Sequence, residues 1–259
     1  MSRTKLLQKF CVAITIVSFL LILGRASARA DDVLVSAAAS LTDVLKEIAI
    51  AYRSQTNNTV HYAFGSSSAL ARQIEAASPV DMFFSADLET MDRLEKNGRL
   101  EPGTRKHLLS NQLVIIVPAD SPVTIGSPKD LVNPQINRIA LAEPSSVPVG
   151  VYSTKYLEAE GLWDKVKPKI VPVLDVRATL SSVGSGNVEA GFVYKTDTAN
   201  SSKVTTVFEV PIEKGPKIIY PVAILKESRK KAAARDFLNL LISPFGQSVF
   251  KKHGFLVLQ

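Results

Sequence analysis

The sequence VHYAFGSSSALARQ runs from Val60 to Gln73 and has the pattern of a β-strand, a turn of three serines and the first turns of a helix. The first backbone N–H groups of a helix have no partner within it, and the helix dipole places about half a positive charge there. Serine hydroxyls add further donors, but serine is also a favoured ordinary N-cap. The stretch therefore predicts a βα unit whose turn either binds an anion or simply caps a helix.

The same pattern occurs earlier in the chain. Val33-Leu34-Val35 leads to Ser40 and then to apolar residues at helical spacing, and a third strand after Pro79 precedes a polar helix over Leu88–Lys96. Repeated βα units predict an α/β fold with mostly parallel sheets flanked by helices.

Two long apolar runs divide the chain further. Leu113–Val117 is the strongest strand pattern, and a second α/β set follows it from Arg138; the run Ile218–Leu225 then leads to a helical tail. We expect these two strands to cross between two lobes and act as a hinge. The predicted domains are lobe 1 over 31–113, joined by the returning segment 222–259, and lobe 2 over 114–221.

Residues 1–30 have the features of a secretory signal peptide. Arg3, Lys5 and Lys9 precede an apolar run over 10–23, and small residues lead to a cleavage site after Ala30. We therefore expect export to the periplasm.

Composition gives no indication of a polyanionic partner. The formal charge is +7, but five basic residues lie in the predicted signal peptide, which leaves 26 basic and 24 acidic residues. This balance is ordinary for a protein surface and does not favour nucleic-acid binding. Cys11, the one cysteine, lies in the same leader, so no disulfide is expected in the exported chain.

Four predicted helix starts share one property, which is that each follows a strand or turn and could present backbone N–H groups. They lie at Ser40, at Ser66–Ser68, at Pro148-Val149-Gly150 and at Asp175-Val176, two in each predicted lobe. If they faced one cleft, their amides and the hydroxyls of Ser40, Ser67 and Tyr194 would surround a small anion.

A site made only of donors suits a fully deprotonated tetrahedral dianion, because such an anion accepts at every oxygen and donates at none. The alternative of four ordinary capped helices stays open at this point. So does a serine hydrolase, because Gly65-Ser66-Ser67-Ser68-Ala69 half resembles a nucleophile elbow. His107 or His253 would then be the base and Asp175 its partner. The histidines lack the spacing of a metal site.

A set of motifs in order resembles the periplasmic molybdate-binding proteins of bacterial ABC importers. The motifs are Ala37-Ala38-Ala39-Ser40-Leu41-Thr42, Gly65-Ser66-Ser67-Ser68-Ala69-Leu70-Ala71-Arg72-Gln73, Asp81-Met82-Phe83-Phe84-Ser85-Ala86-Asp87, Val147-Pro148-Val149-Gly150, Asp175-Val176-Arg177 and Gly191-Phe192-Val193-Tyr194. The resemblance extends over nearly the whole chain after residue 30.

The resemblance implies a two-lobed type II binding-protein fold that closes on molybdate or tungstate and docks on a membrane permease. It implies an oxyanion site made by the five residues Ser40, Ser67, Val149, Val176 and Tyr194, with no catalytic residue, no direct metal ligand and no cofactor. Val149 replaces an alanine typical of the family, which matters little if only its amide is used. We expect a monomer, with a sulfate or thiosulfate receptor as the alternative within the binding class.

Overall fold

The computed structural model describes residues 31–199 and 201–258. The predicted signal peptide, 1–30, lies outside the described residues. The strands are β1 (Val33–Ala38), β2 (Val60–Gly65), β3 (Met82–Phe84), β4 (Lys106–Ser110), β5 (Leu113–Pro118), β6 (Ile139–Ala142), β7 (Ile170–Val173), β8 (Ala190–Tyr194), β9 (Val204–Glu209), β10 (Tyr220–Ile224) and β11 (Leu256–Val257). The α-helices are α1 (Thr42–Thr56), α2 (Ser67–Glu75), α3 (Leu88–Lys96), α4 (Pro148–Ala159), α5 (Trp163–Val166), α6 (Val176–Gly184), α7 (Lys195–Thr198), α8 (Lys231–Ile242) and α9 (Pro244–Lys252).

The strands form two sheets, each flanked by helices, and these are the two lobes of the molecule. The first lobe has a six-stranded sheet in the order β11-β4-β10-β3-β1-β2, and the second has a five-stranded sheet in the order β7-β6-β8-β5-β9. Strand β5, the strongest pattern in the sequence, lies between β8 and β9, and its residues Leu113 to Val117 are buried. The predicted two-lobed α/β fold is therefore present.

Each sheet is mixed, which differs from the expectation of mostly parallel sheets. Parallel pairing joins β1 to β2 and β3, and β6 to β7 and β8, which are the strands of the βα units. Strands β10, β4 and β11 pair antiparallel in the first lobe, as β5 does with β8 and β9 in the second. The repeated βα pattern revealed only the parallel part of each sheet, because antiparallel strands need no helical crossover and so are not marked by a βα unit.

Two connections join the lobes. Asn111 and Gln112 link β4 of the first lobe to β5 of the second, and residues 210–219 link β9 of the second lobe to β10 of the first. The predicted crossing strands Leu113–Val117 and Ile218–Leu225 thus begin beside these connections, but β5 and β10 each belong to one sheet. The domain boundaries at 113/114 and 221/222 stay a prediction.

Glycine 150 sets the position of helix α4 against the second sheet. A Cβ at Gly150 would lie 2.0 Å from the carbonyl oxygen of Ala142, the last residue of β6. A glycine is therefore required where the first turn of α4 meets the end of the strand. This close approach holds the helix start at the edge of the sheet that faces the first lobe.

Among the described residues, no helix is long and apolar enough to cross a bilayer.

Candidate functional site

A small cavity lies between the lobes, at the ends of strands and the starts of helices. The volume within which the centre of a water molecule can move is about 20 Å³. When the radius of the water itself is added, this volume corresponds to a rounded cavity with a radius of about 3 Å. A tetrahedral oxyanion has this size. The lining residues are Ala38, Ala39, Ser40, Gly65, Ser66, Ser67, Ala86, Val147, Pro148, Val149, Asp175, Val176 and Tyr194.

All five residues singled out from the sequence line this one cavity. Ser40 and Ser67 belong to the first lobe, and Val149, Val176 and Tyr194 belong to the second. The structure thus brings together residues that are up to about 150 positions apart in the chain. That they hold a ligand stays a prediction at this point.

Ser40 lies in a single 3₁₀ turn, Ala39–Leu41, which precedes α1. The sequence pattern predicts Ser40 at the start of the α-helix itself. In the structure it lies in the 3₁₀ turn instead, and its buried side chain is beside Tyr220. The Oγ of Ser40 and the Oη of Tyr220 are 3.1 Å apart. The side-chain amide of Asn111 donates to the same Oη at 3.3 Å. Because Tyr220 already accepts from Asn111, its own proton can be donated to Ser40, which leaves the Ser40 proton free to point elsewhere.

Ser67 is the first residue of α2 and is fully buried. Its Oγ accepts a hydrogen bond from the backbone N–H of Ala86 at 2.9 Å. The hydroxyl proton is again free to be donated into the cavity. Ser67 therefore receives a hydrogen bond from the protein, and Ser40 can receive one from Tyr220, so both serines can act as donors towards a ligand.

The second lobe presents backbone N–H groups from two helix starts. Pro148 is the first residue of α4, with Val149 next to it, and Val176 is the first residue of α6. First-turn amides have no acceptor within their own helix. Asp175 caps α6 by accepting from the N–H of Ala178 at 2.9 Å, so its carboxylate is directed into the helix and leaves the Val176 amide free.

Tyr194 ends strand β8 at the cavity, and 2% of the residue is exposed. Its hydroxyl oxygen is buried and has no hydrogen-bond partner among the described residues. Burial raises the pKa of the Tyr194 hydroxyl well above its ordinary value, so the group stays protonated. A buried hydroxyl without a partner is costly unless a ligand accepts its proton.

The cavity wall carries little charge. Of the lining residues, Asp175 alone has a carboxyl group, and no lysine, arginine or histidine is among them in the part of the chain that the structure describes. The wall can therefore recognise an anion through neutral donors and the positive ends of helices rather than through formal cations.

Three residues that support the site were not found from the sequence. Tyr220 and Asn111 hold Ser40, as described above, and Asp197 accepts from the backbone N–H of Tyr194 at 3.1 Å. The Asp197 side chain is fully buried, and this raises its pKa to about 7. A signal was present for two of them, because Tyr220 is a hydroxyl in an apolar run and Asp197 stands three residues after Tyr194, where a capping acid is common.

The histidines of the hydrolase alternative lie elsewhere. A ring nitrogen of His253 is 2.8 Å from Glu47, and His107 is exposed on β4. Ser67 thus has no histidine base within the described cavity wall. Nor do the described residues contain a group of three or more metal-ligating side chains.

The sequence from residue 33 to residue 256 matches the family model of bacterial extracellular solute-binding proteins. The chain belongs to this family. Members bind solutes rather than catalyse reactions, and they act outside the cytoplasmic membrane, in the periplasm or extracellular space.

Several known proteins resemble this solute-binding protein along nearly their whole length. The putative ABC transporter substrate-binding lipoprotein YvgL of Bacillus subtilis is 39% identical over 95% of this chain and 96% of its own length. The molybdate-binding protein ModA of Escherichia coli is 36% identical, covering 90% of this chain and 92% of its own.

A solved structure gives the same result. The periplasmic molybdate-binding protein of Azotobacter vinelandii matches with a TM-score of 0.79 and 25% identity, over 88% of this chain and 100% of the other. These similarities confirm the resemblance found in the sequence and the type II fold that it implied.

Proposed function

We propose that this solute-binding protein captures molybdate, and also tungstate, between its lobes and delivers the anion to the permease of an ABC importer. The observation that carries the proposal is the cavity about 3 Å in radius, which the hydroxyl-bearing residues Ser40, Ser67 and Tyr194 and the helix-start residues Val149 and Val176 line together. The names of the similar proteins from Escherichia coli and Azotobacter vinelandii support the same ligand.

The chemistry of the wall selects for protonation state. The hydroxyls of Ser40, Ser67 and Tyr194 and the amides of Val149 and Val176 offer protons, and the Asp175 carboxylate is turned away into α6. A dianion without protons satisfies every donor, whereas a protonated phosphate brings an O–H that finds no acceptor.

The donor count also supports tight binding. Each hydrogen bond to a charged oxygen contributes about 1.5 to 3 kcal/mol. Six or seven such bonds, which include the amides of the serines, offset desolvation and the entropy of association and leave sub-micromolar affinity, about 8 to 12 kcal/mol. Sulfate has shorter bonds from its central atom to oxygen, so its oxygens fall short of several donors.

Export through a cleaved signal peptide over residues 1–30, a periplasmic location and a monomeric state complete the proposal. A monomer suits this role because both walls of the cavity come from one chain.

Calorimetry with molybdate, tungstate, sulfate and phosphate tests the ligand. We expect sub-micromolar binding of molybdate and tungstate, and binding of sulfate and phosphate at least about 100-fold weaker, which is the loss of about 2.7 kcal/mol or one to two hydrogen bonds to a charged oxygen. Absence of heat with molybdate overturns the proposal, and tighter binding of sulfate or thiosulfate replaces it with a receptor for those anions. Covalent labelling of Ser67 by a serine-reactive phosphonate is the result that a hydrolase would give.

A further inference from the structure

Arginine 177 is placed against the preference of its own helix. It is the second residue of α6, and a positive charge in the first turn opposes the positive end of the helix dipole. A residue that breaks a local rule usually has a compensating contact or a function. The compensating contacts of Arg177 lie across the cleft.

The Arg177 side chain spans the two lobes. Its Nη2 donates to the Asp43 carboxylate at 2.7 Å, and its Nε donates to the Ala39 carbonyl at 3.4 Å; both acceptors belong to the first lobe. On its own side, the Nε is 3.7 Å from the buried carboxylate of Asp197. The guanidinium group thus lies between carboxylates of both lobes.

These contacts are next in sequence to the predicted ligand donors. Arg177 follows Val176 directly, and Ala39 precedes Ser40 directly. Asp197, in turn, accepts from the backbone N–H of Tyr194. One side chain therefore sets the spacing between a wall that carries Ser40 and a wall that carries Val176 and Tyr194.

We propose that Arg177 is a positioning residue that latches the second lobe onto Asp43 and Ala39 of the first lobe, and so holds the donors of both walls at the distance that the oxyanion requires. The latch adds to the stability of the closed form without touching the ligand. It acts on release, because the contacts form only when the lobes come together. The ligand used in its test rests on the proposed function.

Asp43→Asn is the sharpest test, because the latch and simple electrostatics predict opposite results. Removal of a negative charge near the cavity by itself strengthens binding of a dianion. Loss of the latch instead weakens binding, and we expect the dissociation rate and the Kd of molybdate to rise about 2- to 5-fold, as for a partly exposed, well-aligned ion pair. The association rate stays the same.

Arg177→Met and the double variant complete the cycle. We expect Arg177→Met to weaken binding at least as much as Asp43→Asn, and the double variant to bind like Arg177→Met alone, because one interaction is lost in each case. Arg177→Lys keeps the positive charge but loses the planar guanidinium group, which donates through more than one nitrogen. We therefore expect its Kd for molybdate to fall between those of the wild type and Arg177→Met.

A matched control is available within the first lobe. Arg93 and Glu75 form an ion pair of 3.0 Å on the surface, and both residues lie on helices of the same lobe. Glu75→Gln removes such a pair without affecting the contact between the lobes, so the Kd stays at the wild-type value.

A second readout works without ligand. Spin labels at Ile50→Cys on α1 and Glu158→Cys on α4 report the distance between the lobes, because the chain after residue 30 has no other cysteine. We expect Asp43→Asn and Arg177→Met to shift the ligand-free distribution to longer distances. An unchanged distribution together with unchanged or tighter molybdate binding by Asp43→Asn overturns the latch, whereas failure of the wild type to bind molybdate overturns the proposed function and leaves the distance measurement to decide on the latch.

Discussion

The two walls of the cavity offer hydrogen-bond donors in different ways. The first-lobe wall uses the hydroxyls of Ser40 and Ser67, and each is hydrogen-bonded to the protein: Ser67 accepts from the Ala86 N–H, and Ser40 lies 3.1 Å from the Tyr220 hydroxyl. The second-lobe wall uses the backbone amides of Val149 and Val176 and one hydroxyl, that of Tyr194, which has no partner among the described residues.

This difference separates stability from binding. A serine of the first wall is part of the internal hydrogen-bond network, so its loss affects both the fold and the ligand. The donors of the second wall are backbone groups or an unpartnered hydroxyl, so their loss affects the ligand alone. The following predictions test this contrast and are ordered by their expected effect on affinity.

The largest effect is expected from Val176→Pro. Proline fits the first position of a helix, where its missing N–H breaks no helical bond, and Asp175 before it is extended, with φ −159° and ψ −177°. The substitution removes one donor and places ring carbon in the cavity, so we expect molybdate binding to weaken by about 3 kcal/mol, the upper value for a hydrogen bond to a charged group. Calorimetry measures this loss, and the unfolding temperature without ligand stays near that of Val176→Ala, which loses the same buried side-chain contacts.

Val176→Ala is the matched control. It shortens the side chain but keeps the amide, so its affinity stays within about threefold of the wild type, because an exchange that leaves the hydrogen bond in place changes binding by well under 1 kcal/mol. An equal loss in both variants contradicts an amide donor at this position.

Ser67→Ala is expected to lower both the affinity for molybdate and the stability of the ligand-free protein. Binding weakens by about 1 to 3 kcal/mol with the lost donor. The Ala86 N–H also loses its buried acceptor, so the free energy of unfolding falls by about 1 to 3 kcal/mol without loss of the fold. Urea unfolding of the ligand-free protein measures the second effect, and unchanged affinity removes Ser67 from the site.

Tyr194→Phe, unlike Ser67→Ala, is expected to lower the affinity for molybdate without lowering stability. The hydroxyl has no partner among the residues described, so its removal leaves the ligand-free protein as stable as before or slightly more stable. Binding weakens by about 1.5 kcal/mol, the lower value for a hydrogen bond to a charged group. A clear loss of stability in urea without any loss of affinity contradicts the proposed role.

The smallest effect on affinity is expected from Asp197, which lies behind the second wall. Burial raises the pKa of the Asp197 carboxyl from its ordinary value of 3.8 to about 7. Between these values the folded state binds more protons than the unfolded chain, so the contribution of Asp197 to stability falls as pH rises from about 4 to about 7 and is constant above.

Asp197→Asn removes the titrating carboxyl group, and with it this dependence of stability on pH. We expect the difference in unfolding free energy between the wild type and the variant to decline by up to about 1.4 kcal/mol per pH unit across that window, the linkage value for one proton. Urea unfolding without ligand at several pH values measures it. A difference that is independent of pH contradicts a raised pKa at Asp197.

Local features of the sequence predicted the elements well. Helix α3 occupies Leu88–Lys96 as expected, because Asp87 caps its start and Asn97-Gly98 ends it. The helix starts at Ser67, Pro148 and Val176 followed from the same reasoning.

Contacts between distant residues could not be predicted in this way. Ser40 and Tyr220 are 180 positions apart, and Arg177 and Asp43 are 134 apart, so no local pattern marks either pair. Strand β4, Lys106–Ser110, was missed for the same reason, because its polar start becomes a strand only when β10 and β11 pair with it.

The hydrogen bond from Asn111 to Tyr220 has a fixed direction. The Asn111 amide nitrogen has protons but no lone pair to offer, so Tyr220 accepts there, which favours donation of the Tyr220 proton to Ser40. Asn111 stands in the connection between the lobes and also donates to Thr196 of the second lobe at 2.8 Å. The orientation of the Ser40 hydroxyl is thus biased from the connection between the lobes, and Tyr220→Phe would release Ser40 to turn its lone pairs towards the cavity and accept a proton from a ligand that the native wall rejects.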